Sequence, residues 1–564
     1  MKKYIGILLS VALLGSCTSD FEDFNTNPNK ISKGSVGPMS MIEYITVGAS
    51  NTLANYMREW SNDIAQVTCS SGSTVRLEHC YKLENQYNSV WNLCFLRANN
   101  AKHMYELAVE QGNSNCQAIA LTLKVYYLSI ATDLFGDIAY REALRGDEGI
   151  TRPVIDSQKD VYEQMMAELE TANSLYQLNV VLDDSAKDKI FAGDIAKWQK
   201  FTNTLHMRLL NRVSLRNDSF SPTVAERMVN IVNNPGKYPL MSSNADNAMV
   251  NYDGTATYYR NNLNQFDYTT DNGFSGDHKL SEVVIDLMVY NDNNQADCDP
   301  RLPIWGCPRY QTNKVWQWQG SKPGCDTEYP AEPSRYNEPG SGTIYNNSQV
   351  ESYMHYEVLC RDTNPNMLMC YDELLFIEAE AAMNGWISGS AEQYYNDALR
   401  ASCQKWAPWG ANGHYPVLNG STVSFANVTI TEAQIQNLIA RPEVKWNGTM
   451  QRLAEQKWLS LYWIVGFQQY SEMRRTGYPE CTINNGIVKQ GFSINKEGKA
   501  VFIARCSYPQ VAIANNRANY AVALERMGAA DNDIVTPVWW SGQAVARDAG
   551  QPWPHSFRTL TYQE

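Results

Sequence analysis

Residues 116–136, CQAIALTLKVYYLSIATDLFG, decide the fold. Apolar side chains recur three and four positions apart along them, and the pattern stops at Gly136. Residues 92–112, NLCFLRANNAKHMYELAVEQG, repeat the arrangement and stop at Gly112. Two helices joined by so short a break must run antiparallel, as an αα-hairpin. The same periodicity continues in residues 157–176, SQKDVYEQMMAELETANSLY, with Ser157 placed to cap, and in residues 194–216, DIAKWQKFTNTLHMRLLNRVSLR. In the latter, Trp198, Phe201, Leu205 and Leu209 form a core stripe.

Helical patterning therefore starts near Met39 and dominates to about Arg216. Residues 217–365 change character: Gly, Pro, Asn, Asp and aromatics crowd together, as in RYQTNKVWQWQGSKPGCDTEYPAEPSRYNEPGSG at 309–342. A loop region this long is a place for function. Helices resume in residues 371–386, YDELLFIEAEAAMNGW, where Glu378 and Glu380 read as a paired or capped structural acid and a surface residue rather than as catalysts. Ser390 with Gln393, and Thr431 with Gln434, have the spacing of capping boxes. A long helix is expected over residues 451–479, QRLAEQKWLSLYWIVGFQQYSEMRRTGYP. There Arg474 and Arg475 suit the negative end of the helix dipole, Gly477 the left-handed position after it, and Pro479 the stop. Residues 481–564 are loop-rich again. The expected fold is all-α dominated, with helix pairs of tetratricopeptide-like length as scaffold and long irregular insertions, although no clean 34-residue repeat occurs.

The N-terminus has Lys2 and Lys3, an apolar run over residues 4–14, then Leu14-Gly15-Ser16-Cys17. That is a secretory signal ending on a cysteine, and too short to span a bilayer. Residues 1–16 are expected to be removed, Cys17 to be acylated, and residues 17–37 to form a polar tether. No later stretch is expected to span a bilayer: the most apolar run, LSLYWIVGF at 459–467, is nine residues and reads as buried helix. Without residues 1–16 the chain has 45 Lys+Arg against 60 Asp+Glu, a formal charge of −15. So acidic a surface argues against a nucleic-acid partner and suits an uncharged ligand.

Thirteen cysteines, twelve without Cys17, include no CxxC or zinc-type Cys/His spacing. Cys298, Cys307 and Cys325 lie in loop-like sequence and are the candidates to bridge; most others read as small core residues. The seven histidines are scattered. No GxSxG, HExxH, P-loop or GxGxxG occurs, so neither catalytic residues nor cofactor nor metal site is expected. Asp292, Asp297 and Asp299 crowd into NDNNQADCDPRL, which lacks the glycine and terminal glutamate of an EF-hand and reads as a polar turn.

The chemical signal is aromatic. Trp305, Trp316, Trp318, Tyr329, Tyr336 and Tyr345 stand in loop-like sequence, and Arg76 with Tyr81 in SGSTVRLEHCY makes a second candidate rim. A sugar ring stacks its C–H face on such platforms while its hydroxyls bond to polar side chains. The same residues could instead pin the loops to the helical body.

Five stretches in order, DFNTNPNK, ATDLFGDIAYREAL, DIAKWQKFTNTLHMRLLNRVS, ELLFIEAEAAMNGW and AEQKWLSLYWIVGFQQYSEMRRTGYP, resemble the SusD/RagB outer-membrane lipoproteins of Bacteroidetes. The likeness runs from Cys17 to TPVWW and is similar to the branch with an Asn-Thr-Asn-Pro motif. It implies one SusD-like domain over residues 38–564, comprising helical blocks at 38–216 and 366–480, a ligand-side insertion at 217–365 and a loop-rich C-terminal part at 481–564. It further implies a non-enzymatic lipoprotein anchored by Cys17 in the outer membrane and facing outward. Such a protein captures an oligomeric nutrient, most often a glycan, and delivers it to a SusC-like TonB-dependent transporter. The alternatives are a peptide-binding member of the same system or a surface glycoside hydrolase.

Overall fold

The computed structural model describes residues 36–70, 81, 83, 86–261, 263, 278–291, 294–310, 316–324, 351–410, 415–419, 422–483, 493–495, 498, 501–551 and 558–559. It is helix-dominated. The helices that build the body include α1 (Ile42–Tyr56), α2 (Gln86–Glu110), α3 (Ser114–Phe135), α4 (Gln158–Leu175), α5 (Ile195–Arg212), α6 (Val224–Asn233) and α7 (Glu282–Met288). After them come α8 (Tyr371–Met383), α9 (Ala391–Gly410), α10 (Glu432–Ala440), α11 (Met450–Ser460), α12 (Gln468–Thr476) and α13 (Arg517–Met527).

The expected hairpin is α2 and α3. Asn113 caps α3, its side chain accepting from the Cys116 N–H. Gly136 ends α3 at φ 88°, where a Cβ would lie 2.7 Å from Met527 Sδ on α13. By length and composition α3 is long and apolar enough to cross a bilayer, against the expectation that no stretch after the N-terminal run is. Here 94% of its most apolar stretch is buried, because α2, α4 and α5 pack around it. Successive helices pack on one another, α3 on α4, α4 on α5, α8 on α9 and α11 on α12. The α5 stripe of Trp198, Phe201, Leu205 and Leu209 is at most 2% exposed, each side chain contributing about 1.5–3 kcal/mol by leaving water.

The long helix expected over 451–479 is divided. α11 stops at Ser460 and α12 starts at Gln468. Between them Trp463, Gly466 and Phe467 take φ of 68°, 94° and 64°, left-handed values incompatible with a continuing helix. The intervening apolar segment is buried, and the Val465 N–H donates to the Met367 carbonyl at 2.9 Å.

Buried charges join the two helical blocks. Arg208 on α5 forks onto Glu373 of α8 at 2.6 and 2.5 Å. Asn211 donates to Glu380 at 2.9 Å, and Arg475 of α12 binds both oxygens of Glu380 at 2.6 Å. Glu472 takes Arg475 at 2.6 Å and Lys457 at 3.1 Å. Burial alone would raise the Glu472 carboxyl, but Arg475 and Lys457 pull it down to about 2. Arg474, for its part, donates to the carbonyls of Asp133 and Ala504 at 2.7 and 3.1 Å. The two arginines therefore bond to specific buried groups instead of merely facing the helix end as the sequence suggested. Glu380 is a buried structural acid.

Short strands edge this body: β1 (Thr68–Ser70), β2 (Ala248–Val250), β3 (His278–Leu280), β4 (Gly306–Cys307), β5 (Arg309–Tyr310), β6 (Trp316–Gln317), β7 (Tyr353–Met354) and β8 (Asn366–Met369). β1, β3, β7 and β4 form one antiparallel sheet in that order, with Cys69 opposite Lys279, and Tyr353 opposite both Lys279 and Cys307. A β9–β10 hairpin (Tyr415–Asn419, Thr422–Ala426) precedes α10.

Candidate functional site

After α7 the chain makes a tight excursion. The Tyr290 N–H donates to the Asp297 carbonyl at 3.0 Å and the Asp299 N–H to the Met288 carbonyl at 2.7 Å, which closes residues 290–299 into a turn. Its two described acids, Asp297 and Asp299, are claimed by arginines, and Asp292 lies outside the described residues. Asp299 takes the Arg301 Nε and Nη2 at 3.0 and 2.8 Å, both residues being fully buried. Asp297 takes Arg441 through both oxygens at 2.8 and 2.6 Å. Among the described residues no group of three metal-ligating side chains assembles.

Arg441 stands just after α10, whose start is fixed by the expected capping box: Thr431 accepts from the Gln434 N–H and the Gln434 side chain accepts in return. Gln434, Asn437, Leu438 and Arg441 fall three, one and three apart, so helical geometry lines them along one face. That face and the 290–299 turn enclose a cleft of about 440 Å³, with Pro300 and Pro303 on the turn side and Asn427, Val428 and Thr429 from the segment after β10. The Arg441 guanidinium carbon lies 4.2 Å from the Tyr290 ring centroid. The Tyr290 hydroxyl donates to Asp299 at 3.4 Å, and burial raises its pKa well above the usual phenol value, so it stays neutral.

The cleft thus combines an aromatic ring, a guanidinium already neutralised by a carboxylate, and amides that both donate and accept. It offers hydrogen bonds without net charge, which suits a hydroxyl-rich uncharged ligand. Cys298 lies on the cleft wall as a free thiol, pushed up to about 12 by burial and by Asp299 and Asp297. The expectation that it bridges is not met: its half-buried sulfur stands alone.

The aromatics singled out in the sequence fall elsewhere. Trp305 is fully buried, stacked on Tyr462 with centroids 4.3 Å apart and edge-on to Trp406. Trp318 is 3% exposed, and its backbone exchanges hydrogen bonds with the Gln295 side chain at 2.6 and 3.2 Å. Tyr81 is 1% exposed, accepts from the Gln66 amide at 3.1 Å and meets Phe502 edge-on. These three rings are packed within the protein, and in this conformation none of them offers a platform to a ligand. Trp318 instead braces the turn that carries the cleft, through its backbone bonds to Gln295. Trp316 belongs to β6, and its side chain is outside the described residues, as are Cys17, Arg76, Tyr329, Tyr336 and Tyr345. The sequence reading passed over Tyr290, Asn437 and Arg441. The usable signal was the Thr431–Gln434 capping box, which predicts a helix presenting 434, 437 and 441 on one face.

Comparison with known proteins agrees with the fold. A family model described as "Starch-binding associating with outer membrane", SusD-like, matches residues 28–509. No curated protein sequence matches the chain. Among solved structures, a chitin-binding protein is 22% identical with a TM-score of 0.69, over 90% of this chain and all of its own. A SusD homologue from Bacteroides fragilis is 23% identical with a TM-score of 0.67, over 88% of this chain and 98% of its own. One from Parabacteroides distasonis is 19% identical with a TM-score of 0.69, over 93% and 100%. With its helical scaffold shared by these structures and its sequence matched by the family model over most of its length, the chain belongs to the SusD-like family.

Proposed function

We propose that this protein is a lipid-anchored, outward-facing lipoprotein of the outer membrane that holds an oligosaccharide without cleaving it and hands it to a SusC-like TonB-dependent transporter. The observation that carries the reading is the charge-balanced cleft at Tyr290, Asp297 and Arg441 on a SusD-like scaffold. Its amides and neutral phenol match sugar hydroxyls, and the Arg441–Asp297 pair leaves no free charge for an ionic ligand. The signal at residues 1–16 and Cys17 support the anchor, with several acyl chains giving durable attachment at about 0.8 kcal/mol per buried CH₂. Calorimetry of the chain lacking residues 1–16 against neutral oligosaccharides and peptides tests this reading. Saturable oligosaccharide binding with recovery of the intact ligand supports it. Binding of peptides alone, or turnover of the oligosaccharide, contradicts it.

A further inference from the structure

On the α1–α2 face a second group of side chains has the chemistry of a site. Tyr44 of α1 and Tyr258 are 50% and 42% exposed. Between them Arg97 of α2 is 8% exposed, its guanidinium carbon 3.9 Å from the Tyr44 ring centroid. Gly48, one turn after Tyr44, makes room: the position of an added Cβ is 3.7 Å from the Tyr258 hydroxyl and 3.8 Å from Arg97 Nη2. Arg97 Nε and Nη1 are buried and have no hydrogen-bond acceptor among the described residues. The nearby acid does not supply one: Glu43 accepts from the Tyr259 hydroxyl at 2.8 Å, and its carbonyl from the Tyr258 hydroxyl at 2.9 Å.

A buried guanidinium without a carboxylate is costly to keep, because it has lost water and gained no counter-charge. Of the other buried arginines described above, Arg208, Arg301 and Arg475 each fork onto a carboxylate, and Arg474 donates to two carbonyls and to the Ser471 hydroxyl while its Nε stays unpartnered. Arg97 is covered by an exposed ring instead. A planar anion is the natural complement of a guanidinium, and a sugar ring that of an exposed tyrosine.

We infer that Tyr44, Arg97 and Tyr258 form a second ligand site that takes a carboxylate-bearing sugar, a uronate, with the carboxylate on Arg97 and the ring against a tyrosine. The inference rests on the oligosaccharide-binding reading above and adds a charged subsite to it, where the chain as a whole, at −13, repels anions.

The test is calorimetry of the chain lacking residues 1–16 with trigalacturonate, its fully methyl-esterified form and an acetylated tripeptide. The expected result is that trigalacturonate binds at least about tenfold more tightly than the ester, as loss of a charged hydrogen bond implies. Arg97→Gln should remove that difference, and Tyr44→Ala or Tyr258→Ala should weaken trigalacturonate by about tenfold while neutral oligosaccharide binding at the cleft is unchanged. The two tyrosine variants are surface changes, so they decide the matter should R97Q fold poorly. Equal binding of acid and ester, trigalacturonate affinity indifferent to the variants, or Arg97-dependent binding of the tripeptide alone overturns the inference. No trigalacturonate binding, with a neutral oligosaccharide still bound, overturns it and leaves the proposed function standing; no binding of any oligosaccharide overturns both.

Discussion

Arg475 lies flat against Glu380, Nη1 and Nη2 each 2.6 Å from one carboxylate oxygen, with neither side chain more than 2% exposed. The pair bridges α12 and α8, 95 residues apart. With Asn211 of α5 on the same carboxylate it fixes three helices relative to one another. Truncating one partner of a buried pair leaves the other charged and dry. Glu380→Ala is therefore expected to cost about 3–5 kcal/mol, and the double variant Glu380→Leu, Arg475→Met less than the sum of the singles. Urea unfolding measures both; a loss under about 1 kcal/mol for the single variant would rule out a structural role for the pair.

Two buried titratable groups give stability opposite pH slopes. Burial pushes the Glu378 carboxyl up to about 7. An acid raised in the folded state favours folding below its unfolded pKa near 4.5, and that advantage is lost as pH rises through 7. Burial, with Arg227 nearby, pushes His206 down to about 3, and Glu170 lies 3.7 Å from its Nδ1. A base depressed in this way favours folding fully above pH 6.5 and loses that advantage as pH falls towards 3. Glu378→Gln should thus stabilise the protein at pH 8 by up to about 3 kcal/mol and flatten the fall of stability with rising pH. The comparison is of unfolding free energies from pH 4 to 8; a variant curve that falls as steeply as the wild-type curve between pH 5 and 8 refutes the assignment.

At the cleft, Arg441→Ala removes the stack on Tyr290 and frees Asp297, placing a bare carboxylate among sugar hydroxyls. Neutral-oligosaccharide affinity should drop about tenfold or more, and about as much for Tyr290→Ala, each by titration calorimetry. Wild-type affinity in both variants would place the ligand elsewhere.

The Cys298 thiol, pushed up to about 12, is almost entirely protonated at neutral pH, and thiolate is the reactive form. Iodoacetamide at pH 8 should leave it unmodified in the folded protein and alkylate it in urea, as read by peptide mass spectrometry. Rapid labelling of the native protein contradicts the half-buried, acid-flanked setting.

The sequence showed most of the scaffold, because helices announce themselves locally. The α2–α3 hairpin, the Ser157 and Thr431 caps and the Gly477 stop at φ 80° all follow from periodicity and short-range rules. The break after Ser460 was hidden, since an apolar run fits a buried helix and a buried turn equally well. The charged lattice was hidden too: Arg208 meets Glu373 across 165 residues and Arg441 meets Asp297 across 144. No local pattern records such pairings. For the site, loop position was the wrong guide to Trp305 and Trp318. Being in loop-like sequence did not keep these large apolar rings in solvent, because burying them contributes more than leaving them at the surface. Polar residues three and four apart on α10 were the better signal, one that becomes visible only when the 290–299 turn is placed opposite.

The central claim is binding without cleavage, and equilibrium calorimetry with recovery of the ligand tests it most directly. The chain lacking residues 1–16 should bind a neutral oligosaccharide saturably, and chromatography of the released ligand should show it at its original length. Shortened products that disappear when a single carboxylate is neutralised, or no binding across a broad panel of glycans, would contradict it.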